Sequence, residues 1–334
     1  MQASFKKFRA WQKDFLSRRP HRTLRLTRRR DYARTLELPG YISFTHYVNK
    51  TVWSYRKLFF GLAGIYLVLY AVLVGIGSQE TYTTLTDTLQ ETNNNIVDGD
   101  FSQLTQAGVL FLTIATVGIS SNPTESQQIY AVLLALLIWL TTVWLLRNKM
   151  AGHKVKLRDG LYNAGSPLVS TFLVGLVLIV QCIPILLAVI GYAAATNSGL
   201  LSGGVEAMLF WIAASLLALL SVFWVTSTMF GMVIVTLPGM YPMKALRNAG
   251  DLVLGRRVRI LLRWLWMILI AALLWAVILI PVILLDLWLK DIWPAFINVP
   301  VIPIVLAILG AVSAIWISSY VYLLYRKVVD ERTS

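Results

Sequence analysis

Residues 260–285 read ILLRWLWMILIAALLWAVILIPVILL, an apolar run interrupted by a single charge, Arg263. A bilayer core of about 30 Å needs roughly 20 apolar residues in a helix, so this run is long enough to cross. Its two ends differ. Arg256, Arg257 and Arg259 crowd the first, while Asp286, Lys290 and Asp291 stand at the second. Lys and Arg accumulate on the cytoplasmic side of membrane helices, so the run reads as an oriented span. Arg263 lies one turn inside the basic end, where its long side chain is expected to snorkel back to the interface.

Five more stretches have the same character: about residues 58–77, 129–146, 168–193, 207–235 and 299–325. None carries a carboxylate in its middle. A seventh run, 107–121, is apolar but reaches only about 22 Å before Asn122, Pro123 and Glu125 end it. It reads as a re-entrant or interfacial helix. The whole chain agrees with its parts, being 57% apolar and only 14% charged, with mean hydropathy +0.68. A soluble domain usually carries about a quarter charged residues. That excludes an ordinary water-soluble globule.

Charge then sets the topology. With six spans and both ends inside, the inner segments hold 29 Lys and Arg against 7 acids, and the outer segments one Lys against nine acids. The net charge is +22 inside and −8 outside, within a formal total of +14. Were 107–121 a true span, Arg147, Lys149, Lys154, Lys156 and Arg158 would move outside. Six spans is the better account. The first apolar run starts near residue 58 behind a basic segment, so the first span is expected to act as an uncleaved signal-anchor.

The expected organisation is a basic cytoplasmic tail over 1–37, then 38–146 with a first membrane hairpin, an outer polar loop and the re-entrant segment 107–121. A second hairpin occupies 147–235, a third unit 236–325, and a short cytoplasmic tail 326–334. In the first tail, Phe5, Phe8, Trp11 and Phe15 recur at helical spacing with Lys6, Lys7, Arg9 and Lys13 between them. That pattern suits a helix lying on an anionic membrane surface. Pro20 stops it, and Arg28, Arg29 and Arg30 continue the charge. Three readings apply to this tail: attraction to anionic lipid head groups, contact with RNA, or a plain orientation signal. The first is favoured, since each Lys or Arg near such a surface contributes about 1 kcal/mol. The chain carries no nucleic-acid module, which leaves nucleic acid the weakest of the three.

Segments ahead of the spans look related. Leu38-Pro39-Gly40-Tyr41 leads to Arg56-Lys57, and Leu237-Pro238-Gly239-Met240-Tyr241 leads at nearly the same distance to Arg256-Arg257. Leu161-Tyr162-Asn163-Ala164-Gly165 matches Leu246-Arg247-Asn248-Ala249-Gly250. Tyr41, Phe44, Val48, Val52 and Tyr55 share one helical stripe, and Lys50, Ser54 and Lys57 another. This is the pattern of an interfacial helix turning into the membrane. The sequence therefore predicts an all-α integral membrane protein: six transmembrane helices with cytoplasmic amphipathic elbow helices. It suggests three elbow-hairpin repeats over about 38–146, 155–235 and 237–325.

The stretch 236–263, TLPGMYPMKALRNAGDLVLGRRVRILLR, resembles the cytoplasmic elbow of the bacterial six-helix membrane-domain families. One of these occurs fused to glycerophosphodiester phosphodiesterases, and others stand alone as polytopic membrane proteins. The residues carrying the likeness are Pro242, Ala245, Leu246, Gly255, Arg256 and Arg257. The likeness covers roughly 155–325 and implies a six-helix membrane fold. It implies no activity, because the phosphodiesterase chemistry belongs to a separate domain.

Candidate chemistry is sparse. A metalloenzyme or hydrolase needs clustered His, Cys or carboxylates at defined spacing. Here the histidines are His21, His46 and His153, far apart in sequence, and Cys182 is the one cysteine. No disulfide framework or thiolate cluster is possible. The sequence holds no phosphate-binding glycine loop ending in Lys and Ser or Thr, as an ATPase would require. Asp98 and Asp100 flank Gly99 without calcium-loop spacing. Neither cofactor nor metal is expected.

Within the membrane, the polar candidates are Gln181, Cys182, Thr226, Ser227 and Thr228. Such groups commonly bond within or between helices. Pro184 and Pro281 each free a carbonyl and kink a span. Broken helices do build transport sites, but no companion charge is present. Ala71 with Gly75, Ala307 with Ala311, and Gly310 with Ala314 suit close helix packing, inside the bundle or between copies. Trp264, Trp266, Trp288, Trp293 and Trp316 suit interfacial belts or bundle contacts.

The expected function is non-enzymatic: a multi-pass scaffold or accessory subunit that organises lipid or a membrane complex in the cell membrane. Its contact residues would be Lys6, Lys7, Arg9, Lys13, Arg28, Arg29, Arg30, Arg256 and Arg257. The partners would be anionic lipid head groups, and a membrane-protein complex or a second copy. The alternative is a passive or facilitated carrier of lipid or a small hydrophobic solute, working through Gln181, Thr226, Ser227 and Thr228.

Overall fold

The computed structural model describes residues 38–74, 124–198, 203–293 and 301–333. The basic tail with Lys6 to Arg30, the outer polar loop and the segment 107–121 lie outside the described residues. Among the described residues the fold is all-α. In chain order the helices are α1 (Tyr41–Ser54), α2 (Arg56–Leu73), α3 (Glu125–Met150), α4 (Leu157–Ala164), α5 (Leu168–Asn197), α6 (Gly204–Ile234), α7 (Pro242–Val253), α8 (Arg257–Ile292) and α9 (Val301–Thr333).

Six of these, α2, α3, α5, α6, α8 and α9, are long and apolar enough to cross a membrane. The architecture is that of a multi-pass membrane protein. The helices run past the apolar stretches at both ends. α8 has 36 residues, about 54 Å of helix against a core of about 30 Å. Charged ends stay helical because the backbone there still bonds to itself.

Local signals place the breaks. At the start of α3, Thr124 Oγ1 accepts from the Gln127 amide at 3.4 Å, and Gln127 Oε1 accepts from the Thr124 amide at 2.9 Å. This reciprocal cap ties down donors that the helix cannot use itself. Arg147 and Lys149 sit in the last turn of α3, complementing the negative end of its dipole. Gly152 and Gly255 adopt φ of +84° and +78° just after α3 and α7. Only glycine takes that left-handed stop without a Cβ penalty.

Burial separates centre from rim. In their most apolar windows α3 is 56% buried and α9 44%, whereas α5, α6 and α8 are 6% buried each. Accordingly α9 packs on α1, α2, α3, α6 and α8, and α3 also carries α2, α4 and α5. The apolar flanks of α5, α6 and α8 face outward, as a protein solvated by lipid tails requires.

A short helix directly precedes three of the spans: α1 before α2, α4 before α5, and α7 before α8. Each is anchored by residues four apart, which share a helical face. They are Phe44 and Val48 in α1, Gly160 and Ala164 in α4, and Ala245 and Ala249 in α7, all buried. A Cβ on Gly160 would lie 2.9 Å from Leu145 Cδ2, so the α4 backbone rests almost directly on α3. Gly231 plays a similar part under α7, with Leu246 Cδ2 at 3.3 Å from its would-be Cβ. Gly165 and Gly250, paired in the sequence pattern, differ here: the first caps α4 and the second lies inside α7.

Candidate functional site

The predicted polar patch lies on the α5–α6 hairpin, and the structure brings part of it together. Thr228 Oγ1 donates to Gln181 Oε1 at 2.6 Å, bridging the two helices. Thr226 and Ser227 turn back on their own helix, donating to the Val222 and Trp224 carbonyls at 2.6 and 2.8 Å. They therefore do not extend the bridge. Each hydroxyl has a lone donor, and each is already used.

The sequence reading missed Ser221. Pro184 has no N–H, and its ring pushes against the carbonyl one turn back, which loosens α5. The next amide, Ile185 N, donates to Ser221 Oγ across the hairpin at 3.1 Å. Ser221 is buried. It thus gives α5 a cross-helix contact beside its proline. The signal was present, because Ile185–Ser221 and Gln181–Thr228 both straddle the hairpin turn at nearly equal distances along the chain.

The basic residues after α7 are not a free rim. Arg257 Nη1 donates to the Phe223 carbonyl at 2.5 Å, and its guanidinium lies 3.6 Å from the Phe223 ring centroid. Arg257 therefore fastens α8 to α6. Arg256 is half-buried. Farther in, Arg263 reaches not open water but the head of α1. It is 5% exposed and donates to the carbonyls of Pro39 and Gly40, at the head of α1. Its guanidinium lies 4.5 Å from the Tyr41 ring centroid and 5.5 Å from that of Phe44.

Three of the tryptophans form bundle contacts. Trp266 Nε1 donates to Thr45 Oγ1 at 3.0 Å, Trp316 Nε1 to Asn49 Oδ1 at 2.7 Å, and Trp264 stacks obliquely near Phe230. Trp288 and Trp293 are exposed. Trp275, not singled out from the sequence, donates to Ser313 Oγ at 2.8 Å between α8 and α9. Ala311 is buried in the bundle, whereas nothing lies within 4 Å of a Cβ placed on Gly310.

His46 and His153 are both exposed and sit on different elements, α1 and the turn after α3. Among the described residues no group of three His, Cys, Asp or Glu is placed to hold a metal ion. Near the far end of α8, Asp286 and Lys290 form an ion pair at 2.7 Å, one turn apart. Gln181–Thr228, Ile185–Ser221, Arg257–Phe223, Arg263–Pro39 and Trp275–Ser313 are all fastenings between separate segments.

No family model, curated protein or solved structure matches this chain.

Proposed function

We propose that the protein is a non-enzymatic membrane scaffold or accessory subunit that organises lipid or a partner complex in the cell membrane. The observation that carries this reading is the state of the polar groups on the α5–α6 hairpin. Gln181, Ser221, Thr226, Ser227 and Thr228 are each engaged in a hydrogen bond within or between α5 and α6. A carrier needs polar groups that are available to a passing solute; a scaffold uses them to hold helices together.

Charge supports the orientation, with both termini in the cytoplasm and the basic loops on that face. The three short helices then lie along the cytoplasmic boundary as elbows, and the shared small-residue anchors of α4 and α7 support a repeat. The likeness of 236–263 to bacterial six-helix membrane domains belongs to the same reading. Anionic head groups are the proposed partners of the basic tail, with a membrane-protein complex or a second copy beside them.

The test is reconstitution into sealed vesicles. The scaffold reading expects no lipid or solute flux above that of protein-free vesicles. Flux abolished by Thr226→Leu or Gln181→Leu would establish the carrier instead. Co-purification from gently solubilised native membranes names the partner.

A further inference from the structure

Where α1 meets α9, there is a cleft of about 530 Å³ lined by His46, Asn49, Lys50, Val52, Trp53 and Trp316. Its size falls within the range of about 300–1,000 Å³ typical of small-molecule sites. Two features make it a built surface. Trp316 Nε1 donates to Asn49 Oδ1 at 2.7 Å, which fixes both side chains and leaves the Asn49 amide hydrogens for another acceptor. Trp53 is 62% exposed yet braced, edge-on to Phe60 at 6.3 Å with the Arg56 guanidinium 5.4 Å from its ring centroid.

The charge in the cleft has one sign. Lys50 and His46 are exposed, and neither makes a hydrogen bond or ion pair among the described residues. The stretch 38–74 contains no Asp or Glu, while Arg56 and Lys57 follow within two turns of Lys50. Trp316 lies ten residues before Arg326 on α9, about 15 Å along the helix. The cleft therefore spans from a cationic rim to the apolar belt. A free phosphate would satisfy the rim and leave two indole walls bare; a phospholipid satisfies both.

We propose that this cleft binds one anionic phospholipid. Its phosphate sits at Lys50 and His46, the Asn49 amide donates to a phosphate or ester oxygen, and the glycerol end of the acyl chains lies against Trp53 and Trp316. The proposal rests on the lipid-organising reading above and adds to it a single defined site.

The experiment uses the full chain in mild detergent, titrated with phosphatidylglycerol or phosphatidylcholine of identical acyl chains, with bound lipids counted by native mass spectrometry. One phosphatidylglycerol is expected to be retained more tightly than phosphatidylcholine. Lys50→Gln should weaken its retention about fivefold, the equivalent of one cation near an anionic head group. Trp53→Ala should weaken both lipids, and Lys244→Gln on α7 neither. Equal retention of the two lipids, or unchanged retention in Lys50→Gln, overturns the site. Displacement by soluble glycerol phosphate at lipid concentrations also overturns it. Flux through vesicles would sink the scaffold reading but leave a Lys50-dependent lipid standing, so the two failures are distinguishable.

Discussion

The guanidinium of Arg263 donates to the main-chain oxygen of Pro39, 224 positions earlier in the chain. The contact ties the first short helix to the fifth span, with Tyr41 and Phe44 stacked around the charge. The head of α1 is the positive end of a helix dipole, which by itself repels a cation. Carbonyl oxygens and ring faces offset that repulsion, and only a buried position makes them strong enough to do so.

Arg263→Ala should therefore lower stability by about 1–3 kcal/mol, the range for leaving a buried polar partner unsatisfied. A thermal melt in detergent reads this as an earlier transition. Arg263→Lys should recover only part of the loss, since an ammonium cannot fork between two carbonyls while stacking on a ring. An unshifted melt for Arg263→Ala would show the contact to be incidental.

The Gln181–Thr228 bridge invites a double-mutant cycle. Gln181→Leu and Thr228→Val together should show a coupling of about 0.6–1.7 kcal/mol, as interhelical hydrogen bonds in membranes do. Thr226→Val should change stability by less than about 0.5 kcal/mol, because its hydroxyl bonds only to its own helix. Equal effects at 226 and 228 would argue against a specific bridge.

Gly160→Ala should destabilise by about 1–3 kcal/mol through overpacking. The new Cβ would meet Leu145 Cδ2 at 2.9 Å and Cγ at 3.0 Å, and Leu145 is itself fully buried. Gly64→Ala in α2, where nothing lies within 4 Å, should be neutral or stabilising by up to about 1 kcal/mol from helix propensity alone. The opposite order would misplace α4 on α3.

The six spans were legible because lipid imposes one requirement on a long stretch, and runs such as 260–285 satisfy it residue after residue. Their ends were less so: the expected 260–285 became Arg257–Ile292, since nothing in the polar flanks stops a helix until Gly255 on one side and Trp293 on the other. The polar patch was half legible. Gln181 and Thr228 could be named as polar groups in apolar helices, but their pairing depends on hairpin register. The partners of Arg263 were hidden for a related reason. A charge near a span's end looks like one that reaches for water until Pro39 and Gly40, remote in sequence, are brought beside it.

Deleting residues 1–36 removes twelve Lys and Arg against two carboxylates, Asp14 and Asp31, and each cation is worth about 1 kcal/mol at an anionic surface. Binding of the protein's cytoplasmic face to phosphatidylglycerol vesicles should weaken, and the difference should shrink as salt rises. Unchanged binding at low salt would remove lipid attraction as the role of the tail.

The central claim is that six helices cross the bilayer with the basic loops on the cytoplasmic side. It is tested most directly by Lys154→Cys in a Cys182→Ser background, probed with a thiol reagent that cannot pass through lipid. The account predicts no labelling in intact cells and labelling once they are permeabilised. Labelling of position 154 from outside intact cells would contradict it.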